Sequence, residues 1–189
     1  MTSATMIRTT AAERDEARSA NRGGVAFLLV HGITWTTAGI LTFVLAAEEA
    51  ALVYLFQGLI AFPASLLLER ELGFRFIAAK DNSIVSLFVL IAMTQGLALP
   101  ASIIVFNLDP LYLPMVFAAT NGGHFLPYTW LHRTRAYAVL GVACALGPFA
   151  ILVAAGAQTA FHATGFFVGG VMLVTAAYIW TLRDRDEAR

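Results

Sequence analysis

Long apolar stretches separated by short polar or Gly/Pro-containing segments dominate the chain, at residues 25–47, 50–68, 83–106, 111–131, 136–156 and 160–182. Each is long enough to cross a hydrocarbon core of about 30 Å as a helix. None alternates with the period of two that a lipid-facing barrel strand needs, and a backbone facing lipid satisfies its own polar groups within one segment only in a helix. The pattern predicts an all-α fold, a polytopic integral membrane bundle of six transmembrane helices. It divides into a polar N-terminal tail (1–22), a transmembrane domain (23–183) and a short C-terminal tail (184–189).

Composition agrees: of 189 residues, 59% are hydrophobic and 13% charged, far from the balance of a soluble domain. Net charge is zero, so no overall field steers the molecule toward nucleic acid, and no nucleic-acid partner is expected. The placement of the charges carries more. Arg8, Arg14, Arg18 and Arg22 precede the first span; Arg70, Arg75 and Lys80 lie between the second and third; Arg133 and Arg135 between the fourth and fifth; Arg183, Arg185 and Arg189 after the sixth. These are all twelve cations. The intervening loops, around Glu48-Glu49, residues 107–110 and residues 156–159, carry none, the positive-inside pattern of a protein with both ends in the cytoplasm.

The N-terminal tail mixes Glu13, Asp15 and Glu16 with its arginines and reads as a short solvated helix or a disordered tail. A cleaved signal peptide is not expected, because the first apolar run is about twice the length of a signal core. Residues 69–82 mix charges with Phe74, Phe76 and Ile77, which suits a segment lying in the cytoplasmic interface. Pro63 is expected to bend the second helix and Gly73 to end it. Trp130 and Trp180, near cytoplasmic ends, read as interfacial anchors. Gly165-x-x-x-Gly169, with Ala176, gives the sixth helix a small-residue face for close packing within the chain or, as a homo-oligomer, between copies.

Polar side chains inside the spans are few, and at depth they destabilise unless partnered, so they often mark sites. Stepped at 3.6 residues per turn, Thr120, Asn121, His124 and Tyr128 fall on one stripe of the fourth helix, and His31, Thr34, Trp35, Ala38 and Thr42 on one stripe of the first. Gln57 and Gln95 add an amide each near the middle of the second and third spans. Both histidines lie about seven residues, roughly 10 Å, from the cytoplasmic ends of their helices. Pro114, Gly122-Gly123 and Pro127 make the fourth helix the one richest in breakers, tolerated at depth mainly beside protein or a cavity. These features converge on a polar cavity opening toward the cytoplasm, with His31, Trp35, Gln57, Gln95, Asn121, His124 and Tyr128 as ligand-binding residues and the two aromatics supplying apolar wall.

Other chemistry finds less support. Each polar residue taken singly is explained as readily by a hydrogen bond to a neighbouring helix, worth about 1 kcal/mol. The two histidines have no HxxxH or HExxH spacing, so no metal and no other cofactor is expected. Asp109 and Glu69 sit at helix ends, leaving no carboxylate at depth for a proton-driven pump. His132, beside Arg133, and His162, after the last external loop, read as interfacial. Cys144 is the single cysteine, which rules out an internal disulfide.

The run Asn107-Leu-Asp-Pro-Leu-Tyr-Leu-Pro114 and the run Gly123-His124-Phe-Leu-Pro127-Tyr128-Thr-Trp130-Leu-His132-Arg133-Thr-Arg135-Ala-Tyr137 resemble the signature of a family of small bacterial multi-span membrane proteins catalogued only as a domain of unknown function. Gln57-Gly58 and Phe62-Pro63 are shorter similarities. The chain departs from that signature in carrying His132 where Tyr is more usual. The resemblance implies a multi-pass protein of the bacterial inner membrane, in contact with membrane lipids, and implies no activity.

Three function classes follow, in this order: binding or transport of a small or amphipathic molecule, which needs the two polar stripes to face each other; an intramembrane enzyme, which needs His31 or His124 paired with a base, nucleophile or metal; and a structural or lipid-interacting protein, which needs only packing. The charge pattern itself is testable by reporter fusions. Fusions at Arg22, Arg75, Arg135 and after Arg189 should report the cytoplasm, and fusions at Glu48, Asp109 and Gln158 the opposite side; one reversed site would remove a crossing.

Overall fold

The computed structural model of the chain describes residues 9–75 and 82–187, with side chains as far as Leu182. Among the described residues there is no strand, and the helices are α1 (Thr10–Ala20), α2 (Val25–Leu41), α3 (Ala47–Glu71), α4 (Ser83–Leu97), α5 (Leu99–Leu108), α6 (Leu113–Leu131), α7 (Ala136–Ala155) and α8 (Ala157–Glu187), with 3-10 turns at Arg22–Gly24 and Pro110–Tyr112. Five stretches are long and apolar enough to cross a membrane: Arg22–Leu41, Ala47–Glu71, Ser83–Leu108, Ala136–Ala155 and Ala157–Leu182. The helix α6 is not among them. Its 19 residues include Thr120, Asn121, His124, Pro127 and Tyr128, which dilute its hydropathy.

Several boundaries differ from the sequence expectation for local reasons. Glu48 and Glu49, expected in a loop, form the first turn of α3, where carboxylates suit the helix dipole and Glu49 Oε2 accepts from the Ala46 N–H at 3.2 Å. The expected loop at residues 156–159 shrinks to Gly156, whose φ of 83° permits α7 to end and α8 to begin at once. The third stretch divides at Ala98, just before Leu99-Pro100, where the residues ahead of a proline resist helical geometry. By contrast α3 runs unbroken through Pro63. It ends where Gly73 was expected to end it: Gly73 has φ 73°, its N–H donates to Arg70 O at 3.0 Å, and Phe74 N–H reaches back to Glu69 O at 2.7 Å, the paired bonds of a Schellman cap.

The tail expected to be solvated or disordered is largely the helix α1, and it is docked. Ala17 is buried beside Ile84 and Leu131, Asn82 Nδ2 donates to Glu13 O at 2.8 Å, and Arg133 pairs with Asp15 at 3.1 Å. Its arginines also cap the tryptophans read as anchors: Arg14 lies over Trp130 and Arg22 over Trp180 at 4.9 and 4.5 Å from the rings. Of the expected interfacial segment at 69–82, residues 76–81 lie outside the described residues.

Packing is tightest where glycines meet. The helices α2 and α8 run antiparallel in the most extensive contact of the bundle, α7 lies between α6 and α8, and α3 joins the other side of α2. A Cβ placed on Gly165 would lie 2.6 Å from Gly39 Cα, and one on Gly169 would lie 2.6 Å from Gly32 O. The Gly165/Gly169 face, expected to pack within the chain or between copies, is therefore occupied by α2 of the same chain. Trp35, Tyr54, Phe125, Tyr137 and Met172 belong to the core cluster that surrounds these contacts. In contrast α3 and α4 scarcely touch.

Gly165→Ala should accordingly destabilise the protein by about 1–3 kcal/mol, the usual effect of an overpacked contact. Gly170→Ala, whose Cβ meets nothing within 4 Å, should be neutral or stabilising by up to about 1 kcal/mol through helix propensity. Thermal unfolding of the two variants in one detergent checks the contrast, and equal midpoints would show that this contact does not hold the bundle.

Candidate functional site

The loose α3–α4 boundary leaves a cavity of about 350 Å³ walled by α2, α3, α4 and α6. His31 and Trp35 of α2, Gln57 of α3, Gln95 of α4, and Asn121, His124 and Tyr128 of α6 all line it. The other members of the two stripes, Thr34, Ala38, Thr42 and Thr120, do not. The cavity is long: from Leu55 to Glu69 it follows α3 for about 21 Å, and from Phe117 to His132 it follows α6 for about 22 Å. The exposed residues of the described lining include Phe56, Leu59 and Phe62 on α3 and Leu99 at the start of α5, along the flank between α3 and the α4–α5 helix.

Two lining residues that sequence reasoning placed elsewhere change its chemistry. Glu69 is at a helix end, as expected, yet it is only 2% exposed and its Oε2 is buried with no hydrogen-bond partner among the described residues. The sequence does hold a signal for it. Stepping by four from Gln57 gives Ala61, Ser65 and Glu69, all buried on one face of α3. His132, read as interfacial, is also 2% exposed. It continues the stride of four from His124 and Tyr128 and stacks between Tyr128 and Tyr137, ring centroids 5.6 and 5.0 Å away. Tyr137 comes from α7, beyond the turn, and is fixed by donating its hydroxyl to Gly23 O at 2.6 Å. Nothing in the sequence around residue 132 announces that lid of rings. His162, by contrast, lies outside the cavity: Nδ1 is 2.8 Å from Thr42 Oγ1 and Nε2 is 2.8 Å from Gln158 Nε2.

Hydrogen bonding fixes how each polar side chain is presented. His31 Nδ1 is 3.0 Å from Phe27 O, which can only accept, so Nδ1 carries the proton and Nε2 is an acceptor. Ser65 Oγ lies 3.5 Å from the same Nδ1 but gives its own proton to Ala61 O at 2.7 Å. Thr94 repeats this: its hydroxyl donates to Ile91 O at 2.6 Å, so it can only accept from His124 Nδ1 at 3.3 Å, which leaves His124 Nε2 as an acceptor too. Neither Ser65–His31 nor Thr94–His124 has the polarity of a nucleophile and its base, because in each pair the histidine donates and the hydroxyl proton points away. Asn121 Nδ2 donates to Phe117 O at 2.8 Å and Gln57 Nε2 to Tyr54 O at 3.4 Å, so each amide keeps its oxygen unspent. Gln57 Oε1 and both polar atoms of Gln95 are buried without partners among the described residues.

No set of three His, Cys, Asp or Glu side chains among the described residues comes together as a metal site. Cys144 is buried in the core cluster and does not reach the cavity. Apart from its polar atoms the lining is aromatic and aliphatic, with Phe27, Phe62, Phe88 and Phe117 prominent.

Comparison with curated proteins and with solved structures finds no match for the chain. Residues 10–182 match the model of a family described as a family of unknown function (DUF7010). That span takes in all five membrane-length helices, α6 and every residue of the cavity lining, and the chain belongs to this family of unknown function.

Proposed function

We propose that the protein is a multi-pass protein of a bacterial inner membrane that binds, or moves within the bilayer, a small amphipathic molecule held in this cavity. The observation that carries the proposal is the cavity itself: polar side chains from four helices face a single long space whose flank is rimmed by large exposed apolar residues. A site reached only from water has no need of a rim made of Phe56, Leu59, Phe62 and Leu99. A molecule with an apolar body and a polar part matches both the rim and the buried acceptors.

In this proposal α6 is a sixth crossing, with both chain ends in the cytoplasm, and its low hydropathy reflects its place in the bundle. Packed against α3, α4, α7 and α8, it presents its polar stripe to the cavity rather than to lipid. An enzymatic role for His31 or His124 gains no support from the polarity of their hydroxyl neighbours. Packing alone accounts for the helices but leaves the unpartnered Gln57 and Gln95 amide atoms unexplained.

Trp35 lines the cavity and provides the readout. In nanodiscs, protein carrying Trp130→Phe and Trp180→Phe retains Trp35 as its one tryptophan, and 12-bromododecanol should quench it saturably. Gly58 and Gly96 also line the cavity, and a Cβ on either meets nothing within 4 Å, so Gly58→Leu with Gly96→Leu should fill the space without disturbing the backbone and weaken this binding by about tenfold or more. Asn121→Leu should act in the same direction. Quenching that rises linearly with probe and ignores these substitutions would be bulk partitioning and would sink the proposal.

A further inference from the structure

Taken together, the unspent polar atoms of the cavity include several acceptors, one of which can carry a charge. Glu69 offers Oε2, Gln57 offers Oε1, Asn121 offers Oδ1, and His31 and His124 each offer Nε2, all of them acceptors. The donors that remain are all neutral: the Trp35 indole N–H, the amide of Gln95, the second hydrogens of the Gln57 and Asn121 amides, the Asn21 amide and the Tyr128 hydroxyl, which can serve either way. The charge is biased, since among the described residues Glu69 is the one carboxylate in the lining and no Lys or Arg contributes to it.

We infer that the amphipathic molecule taken by this cavity is cationic, an ammonium-type group on an apolar body, with its charge held at Glu69 and against the neighbouring rings. This rests on the cavity proposal above and adds the chemical class of the ligand. A carboxylate oxygen buried without a hydrogen bond is unfavourable until a donor or a positive charge reaches it. Glu69 lines the cavity that His132, Tyr128 and Tyr137 line as a stack, with Phe88 packed against Tyr128 and His132. Aromatic faces beside a carboxylate are the arrangement that favours an organic cation over an anion of equal size. An anionic amphiphile, a fatty carboxylate or a phosphate ester, would meet acceptors along the wall and a like charge at its end. A neutral alcohol could donate one hydrogen bond but would leave the carboxylate's charge unanswered.

The test uses the same single-tryptophan protein in nanodiscs of zwitterionic lipid, with three probes of one chain length: 12-bromododecylammonium, 12-bromododecanol and 12-bromododecanoate. Empty nanodiscs correct each probe for its partitioning. At neutral pH the ammonium probe should bind about tenfold or more tighter than the alcohol, and the carboxylate weakest. Glu69→Gln should bring the ammonium probe to within about threefold of the alcohol, and Glu69→Asp, which keeps the charge, should preserve the preference. Equal saturable binding of all three, a preference for the carboxylate, or an ammonium preference that survives Glu69→Gln would each overturn the inference while leaving the cavity proposal standing. Absence of saturable binding by any probe would overturn both. If Glu69→Gln fails to fold, the order of the three probes on the unsubstituted Glu69 decides.

Discussion

A helix in a membrane has carbonyl lone pairs to spare and no spare N–H groups, and this asymmetry governs how the protein disposes of its polar side chains. Every backbone N–H within a helix is committed to the carbonyl four residues back, but that carbonyl can accept a second bond. Side-chain donors are therefore satisfied locally and cheaply. Thr34, Thr36, Ser65, Thr94, Ser102, Thr120, Asn121, Thr164 and Thr175 all donate to a carbonyl three or four residues earlier in their own helix. Side-chain acceptors have no such recourse, and among the described residues Gln57 Oε1, Gln95 Oε1 and Glu69 Oε2 are buried in the cavity without partners.

The same asymmetry sets the tautomers. His31 and His124 are on different helices, yet each ends with Nδ1 protonated, one through a backbone carbonyl and a serine, the other through a threonine whose own proton is spent. His162, near the loop end, shows what completion looks like. It donates to Thr42 by the same logic, and Gln158 supplies the donor that its other nitrogen needs. Among the described residues of the cavity no side chain takes the place of Gln158 at Nε2 of His31 or His124.

Packing and site formation are likewise two sides of one distribution of small and large residues. Glycines draw α2 onto α8 and α6 onto α7, closing those interfaces to backbone contact. Two others, Gly58 and Gly96, face open space at the cavity. With α3 and α4 scarcely in contact, the bundle is tight on one side and slotted on the other.

Much of this was legible along the chain. Apolar runs long enough to span a bilayer, the confinement of cations to alternate segments and the polar stripes on α2 and α6 are one-dimensional patterns, and helical periodicity converts them directly into faces, so His31, Trp35, Gln57, Gln95, Asn121, His124 and Tyr128 could be grouped before any fold was known. Local capping chemistry made the end of α3 at Gly73 legible too, but not the placement of Glu48 and Glu49 inside the helix, because a charge that marks a loop also suits a helix N-terminus. What the tertiary structure alone decided is whatever depends on a neighbour from elsewhere in the chain: that α1 docks on α4, that Gly165 and Gly169 are filled by Gly39 and Gly32, that Tyr137 and Phe88 bury His132, and that Glu69 faces inward. A residue's period along its helix says which way it points, whereas its exposure depends on whether another helix arrives there, and that is settled by packing between segments distant in sequence.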